Sequence, residues 1–187
     1  MPVQFINMVS KLIYSEEQSF RQSIIPWIMA ASVLFVIGSF GVGFYQQLYL
    51  GKPYGNEPMS NNGLIWSSII SFVVMSAAFT FILSGRLVTE IWTDGIRYKF
   101  PPLILRTRHI PIDEISTVEV SKYRPVMEFG GWGWRRRFLT RKTAFNVRGR
   151  IGVRVTLKKG SQVLFGTQKQ EEMKRAVLRM MQPDLNK

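Results

Sequence analysis

Cysteine is absent and histidine occurs once, at His109. The first absence excludes disulfides, thiol catalysis, Cys-ligated zinc and iron–sulfur clusters, and the single imidazole excludes a histidine-rich metal centre. Acidic residues are scarce: twelve Asp and Glu stand against twenty-five Lys and Arg, a net charge of +13. The adjacent carboxylates Asp113 and Glu114 face different ways on a strand and suit a turn better than paired acid–base chemistry. No GxxxxGKS/T phosphate loop, G-x-S-x-G elbow or HExxH helix occurs, and Gly130-Gly131-Trp132-Gly133 lacks the strand-to-helix setting of a nucleotide fingerprint. The expectation is a protein that is not an enzyme and carries no cofactor or metal.

Charge is missing altogether from two long blocks. Residues 24–45, IIPWIMAASVLFVIGSFGVGFY, hold twenty-two uncharged residues, and residues 64–83, LIWSSIISFVVMSAAFTFIL, hold twenty. As helices they measure roughly 33 and 30 Å, enough to cross a hydrocarbon core of about 30 Å. The first run starts too late and is too long for a cleaved signal peptide, and it lacks a small-residue cleavage site. Two transmembrane helices are therefore expected, with Pro26 tolerated near the start of the first. Gly38, Ser39, Gly41 and Gly43 on one span, with Ser67, Ser68, Ser71, Ser76, Ala77 and Ala78 on the other, are expected to let the helices approach closely. Neither span contains an ionisable group, which argues against a pump or transporter acting alone.

Orientation follows from the flanks. Lys11 and Arg21 precede the first span and Arg86, Arg97 and Lys99 follow the second, while the connecting loop, residues 46–63, has only Lys52. Positive-inside bias places both termini in the cytoplasm. Tyr45, Tyr49 and Trp66 toward the loop, and Trp27 and Trp92 at the other end, suit interfacial positions. The localisation expected is the inner membrane of a cell, multi-pass.

Three segments result: 1–23, an amphipathic and juxtamembrane stretch; 24–85, the hairpin; and 86–187, a basic domain holding 22 of the 25 Lys and Arg. Phe5, Met8, Val9, Leu12 and Ile13 recur at helical spacing, on a helix that either lies in the interface or packs on the domain. Ser15 with Gln18 has capping-box spacing, so a fresh helix is expected to start there and run into the membrane. Past residue 85, residues 87–100 predict two strands around Asp94-Gly95, and residues 110–120 a Pro-bearing connection and a strand. Residues 143–147 predict a short strand, and 152–166 a hairpin turning at Lys159-Gly160. Thr167 and Gln170 have capping-box spacing, and Met173, Ala176, Val177 and Met180 line one face of a helix ending before Pro183.

Several stretches resemble a largely uncharacterised family of bacterial membrane-anchored proteins with a pleckstrin-homology-like (PH-like) domain after two transmembrane helices. They are Glu17-Gln18-Ser19-Phe20-Arg21-Gln22, Thr93-Asp94-Gly95-Ile96, Lys122-Tyr123-Arg124-Pro125, Glu128-Phe129-Gly130-Gly131-Trp132-Gly133, Ala144-Phe145-Asn146-Val147, Gly149, Gly152-Val153 and Gly166-Thr167-Gln168. The resemblance implies an α+β membrane protein: a two-helix hairpin, then a seven-stranded, PH-like bent antiparallel sheet capped by a C-terminal helix. It leaves activity open, because PH-like folds serve lipid binding, protein docking and scaffolding. The run Trp134-Arg135-Arg136-Arg137 is more basic than that family usually is at this place.

Residues 128–142, EFGGWGWRRRFLTRK, are the sharpest functional feature. Trp132 and Trp134 are amphipathic rings, and Arg135, Arg136, Arg137, Arg141 and Lys142 add five cations that anionic headgroups attract by about 1 kcal/mol each near a bilayer. The competing readings are packed tryptophans under a solvated basic face, and a protein-docking loop. Arg97, Lys99, Arg106 and Arg108 form a secondary basic surface. Nucleic acid is not expected, since membrane topology accounts for the charge. The function expected is a membrane-tethered interaction module that binds a protein partner and anionic lipid at the inner surface. The alternatives are an accessory subunit of a larger membrane complex, and a homo-oligomeric channel or sensor.

Overall fold

The computed structural model describes residues 10–137 and 140–182. The chain divides into two compact units: Phe20–Ser84, and Met1–Ser19 together with Gly85–Lys187.

The first unit is the helical hairpin. Helix α1 (Ile25–Phe44) takes Pro26 within its first turn, where a missing N–H costs nothing, and passes into a π-helical turn, Tyr45–Tyr49. Helix α2 (Asn61–Leu83) is capped by Ser60, whose hydroxyl accepts from the Gly63 N–H at 3.1 Å. Both helices are long and apolar enough to cross a membrane, with a mean hydropathy of 2.0 each, and their side chains are largely uncovered. Tight packing is confined to the loop end. A Cβ on Gly43 would lie 3.1 Å from the Tyr54 ring and 3.5 Å from Leu64, whereas Gly38 and Gly41 have nothing within 4 Å. The close approach expected along the whole glycine face is thus limited to one of its three glycines.

Among the described residues the second unit holds nine strands. Strands β1 (Leu12–Ser19), β2 (Arg86–Trp92), β3 (Gly95–Phe100) and β4 (Ile104–Pro111) form one antiparallel sheet in the order β1-β2-β3-β4. A 3-10 turn at Ile112–Glu114 carries the chain to a second sheet. Its strands are β5 (Ile115–Lys122), β6 (Gly133–Arg137), β7 (Lys142–Asn146), β8 (Ile151–Leu157) and β9 (Gln162–Gly166), ordered β5-β8-β9-β7-β6. The β7–β9 pair is parallel. Helix α3 (Pro125–Phe129) lies between β5 and β6, and α4 (Gln170–Met181) follows β9.

This architecture corrects the PH-like expectation. Among the described residues no ladder joins β4 to β5, so the strands remain two open sheets and neither closes nor curls into a single cupped one. The two sheets face each other through rings: Tyr98 of β3 lies 4.8 Å from Phe145 of β7 and 5.0 Å from Phe165 of β9. Helix α4 packs on β1 and β2 of one sheet and on β5 and β8 of the other. It buries Met173, Ala176, Val177 and Met180, the face its periodicity predicts. The Thr167–Gln170 capping box does not form: Lys169 occupies the cap position, and the Thr167 hydroxyl accepts from the Lys169 N–H at 3.0 Å.

The segment before the first span departs most from expectation. Residues 15–19 are strand, paired with β2 from Ser15↔Glu90 to Ser19↔Arg86, and no helix starts at Ser15. Leu12 and Ile13 belong to the same strand, while Phe5, Met8 and Val9 lie outside the described residues. The inward face of β1 is Tyr14, Glu16 and Gln18. Glu16, 6% exposed, accepts from the Tyr14 hydroxyl (2.6 Å), Gln18 Nε2 (3.0 Å), the Thr167 hydroxyl (2.7 Å) and the Gln168 N–H (2.8 Å). This carboxylate ties β1 to the approach to α4. Trp92 donates to Glu90 at 2.8 Å and lies under the Arg97 guanidinium, 4.1 Å from the ring.

Candidate functional site: a basic groove between two sheet edges

Helix α4 stops the flank of the two-sheet domain at β1 and β5. At the opposite flank, where the edges β4 and β6 lie, no helix among the described residues gives such cover, and a groove of about 780 Å³ opens there. Cross-strand register explains what lines it. On β3–β4, Tyr98 stands opposite Arg108, and Arg106 is two residues from Arg108, so all three share a face. On β6–β7, Trp134 stands opposite Phe145 and Arg136 opposite Thr143, and these four share a face too. All seven line the groove, with Leu103 just before β4 and Leu105 on it. Leu105 is 73% exposed and Trp134 is 41% exposed.

Pleating therefore divides the arginine run that reads as one cluster in sequence. Arg136 joins Trp134, Arg106 and Arg108 in the groove. Arg135 and Arg137 turn to the other face of β6, where Arg135 Nε donates to the Trp132 carbonyl (3.2 Å) and Arg137 donates to the Glu128 carbonyl (3.0 Å). The secondary surface divides in the same way. Arg97 pairs with Asp94 at 2.8 Å on the face away from Tyr98, and Lys99 shares that face. The two tryptophans also part company, since Trp132 lies beside α3 in a separate small hollow.

A second depression of about 450 Å³ continues from Arg136 to Arg141, Thr143 and Lys159. Arg136 lines both, so the cations follow one another from Arg108 and Arg106 through Arg136 to Arg141 and Lys159. Arg141 holds a left-handed backbone, φ 50°, at the turn into β7, and Lys142, half-buried, starts that strand. None of Arg106, Arg108, Arg141 and Lys159 meets a carboxylate among the described residues. Their like charges are balanced by no fixed acid, which is the electrostatic condition for drawing in an anion. Burial raises the Tyr98 phenol above its ordinary range, and the Arg108 charge opposes that shift.

Sequence alone did not show that Arg106 and Arg108 meet the Trp134–Arg136 strand. The two stretches are about thirty residues apart and sit in different sheets, so only the facing of the sheets brings them together. Lys159, at the expected hairpin turn, also borders the track. Among the described residues no group of three or more His, Asp or Glu gathers to hold a metal.

Fold and site together describe a chain with two helices long and apolar enough to cross a membrane and a two-sheet domain with a basic, tryptophan-edged groove. No family model matches the chain, and neither curated proteins nor solved structures yield a match. The resemblance to a bacterial, inner-membrane family accordingly has no support from these comparisons, and its PH-like part is overturned by the open sheets.

Proposed function

We propose that the protein is a non-enzymatic, membrane-tethered interaction module that docks an acidic segment of a protein partner in the groove, with anionic lipid assisting at the membrane surface. The observation that carries this reading is the continuity of the cationic track. Five cations in series suit an extended acidic chain, and Trp134 and Leu105 add apolar contact beside them. The edges β4 and β6 are unpaired in their sheets, so a strand-like partner would find backbone groups as well as charge. Positive-inside bias assigns the domain to the cytoplasmic side, and tethering at that surface lets each contact be weak.

The test uses the full chain in nanodiscs of neutral lipid and a fluorescent, Glu-rich ten-residue peptide followed by anisotropy. Replacing Arg106, Arg108 and Arg136 together by Ala is expected to weaken binding at least tenfold, about 1.4 kcal/mol. The wild-type affinity should also fall steeply with added salt. Equal affinity of the triple variant, or binding of a Lys-rich control peptide as well as the acidic one, would refute the reading. A second reading, an accessory subunit whose spans dock on other helices, is favoured by the open Gly38 and Gly41 face of α1. Mass analysis of the protein extracted in mild detergent separates the two, because a stable heteromeric membrane complex supports the second.

A further inference from the structure

The small helix α3 carries a feature that neither the groove nor the sequence motifs account for. Val126 and Met127, consecutive on α3, are 61% and 73% exposed. With Pro125 and Trp132 they border a hollow of about 360 Å³ whose rim is Arg124 and Arg150. The two arginines are brought together by the β5–β8 ladder end, where the Tyr123 N–H donates to the Arg150 carbonyl at 2.8 Å. The knob is held firmly from beneath. Glu128 accepts from the Arg124 N–H at 2.8 Å and from Arg154 at 3.2 Å, Phe129 packs edge-on against Tyr123, and Gly130 ends the helix in a left-handed conformation, φ 75°.

We infer that Val126 and Met127 insert into the headgroup region of an anionic bilayer, with Arg124 and Arg150 contacting the phosphates around them. Two apolar side chains are too few for a stable protein–protein interface, which buries about 800 Å² on each partner. A shallow wedge plus a pair of cations is the two-signal combination that holds a domain reversibly on lipid. Charge complementarity selects an anionic surface. The chain's own spans supply that surface: only Ser84 and Gly85 separate α2 from β2, so the domain cannot leave its neighbourhood. The inference rests on the membrane tether and on the lipid half of the proposed function, and not on the groove.

The cysteine-free chain permits a direct test. Full-length protein carrying Met127→Cys, labelled with an environment-sensitive fluorophore, is placed in nanodiscs of neutral lipid with or without phosphatidylglycerol. A parallel sample carries the label through Leu105→Cys. The label at position 127 is expected to shift to the blue and to be quenched at least twofold more by headgroup-proximal nitroxide lipid when phosphatidylglycerol is present. Adding Arg124→Ala and Arg150→Ala should abolish that difference, while the label at 105 should not respond. Free access of aqueous iodide to position 127 in both lipids would overturn the inference. So would shielding that tracks the number of protein copies per disc, which would mean a second copy covers the knob. Acidic-peptide binding measured on the same discs separates the two readings: its loss with position 127 still shielded strikes the groove alone, and the reverse strikes the wedge alone.

Discussion

Four donors converge on the one buried carboxylate of Glu16, and two of their residues, Gln18 and Thr167, extend the network to the Gly166 carbonyl and the Lys169 N–H. Removing the acceptor while leaving its donors buried is the expensive direction. Glu16→Ala is therefore expected to destabilise the domain by about 1–3 kcal/mol, the cost of leaving buried neutral donors without their acceptor, and Glu16→Gln by roughly half as much. Hydrogen exchange in the full chain checks this, with the loss of protection centred on β1 and the start of α4. Tyr123 makes a different prediction. Burial, assisted by the Glu128 charge and partly offset by the Asn146 side chain, pushes its phenol up to about 12. The folded state thus keeps the proton that the unfolded chain gives up near pH 10. The resulting stability is complete below pH 10 and is lost as pH rises toward 12, by up to about 1.4 kcal/mol per pH unit. A phenolate absorbance titration should show Tyr123 titrating well above the exposed tyrosines, in a high-pH step it shares with the other buried phenols Tyr14 and Tyr98, and Tyr123→Phe should reduce that step by one phenol.

At the scale of elements, what could be read in advance depended on which residues carried the period. The β2–β3 and β8–β9 hairpins were legible because apolar residues alternate on both sides of Asp94-Gly95 and Lys159-Gly160. The structure needs glycine at both turns: φ is 145° at Gly95, where a Cβ would strike the Ile110 carbonyl, and 79° at Gly160. The α4 face was legible for the same reason. Strand β1 was not, because its inward positions are Tyr14, Glu16 and Gln18, so polar residues carry the alternation and hydrophobic periodicity cannot detect it. Strand β4 buries only Ile104 and Ile110 at its two ends, and β6 buries only Gly133, which leaves both edges without a pattern. Since the groove is built from those two edges, its composition was visible and its assembly was not. The contribution of β1 has an experimental consequence. A fragment of residues 86–187 lacks that strand and the Glu16 network, and is expected to aggregate or to unfold at least 10 °C lower than a chain in which residues 10–19 are joined through a short Gly-Ser linker to residue 86. The linker can be short because Ser19 and Arg86 are already paired neighbours. Circular dichroism melts of the two proteins decide this, and comparable stability would mean that β1 is dispensable.

For the whole molecule, the distribution of charge links membrane insertion to recognition. Cations that by positive-inside bias would keep the C-terminal domain on one side of a membrane include those that line the groove, and they need no separate explanation until the register shows that Arg106, Arg108 and Arg136 converge. The loop between the spans carries one Lys and one Glu, while the flanks just outside the spans carry Lys11, Arg21 and Arg86. Translocating the domain would move 22 of the 25 Lys and Arg across the bilayer, whereas translocating the loop moves one. Lys52→Cys is accordingly expected to react with a membrane-impermeant maleimide added outside intact cells. Ser161→Cys, at the turn between β8 and β9, should react only after permeabilisation, with the native chain as a blank because it has no thiol. If position 161 were labelled from outside while position 52 was protected, the domain would face away from anionic cytoplasmic lipid. The wedge at Val126 and Met127 would then have to be sought against a different surface.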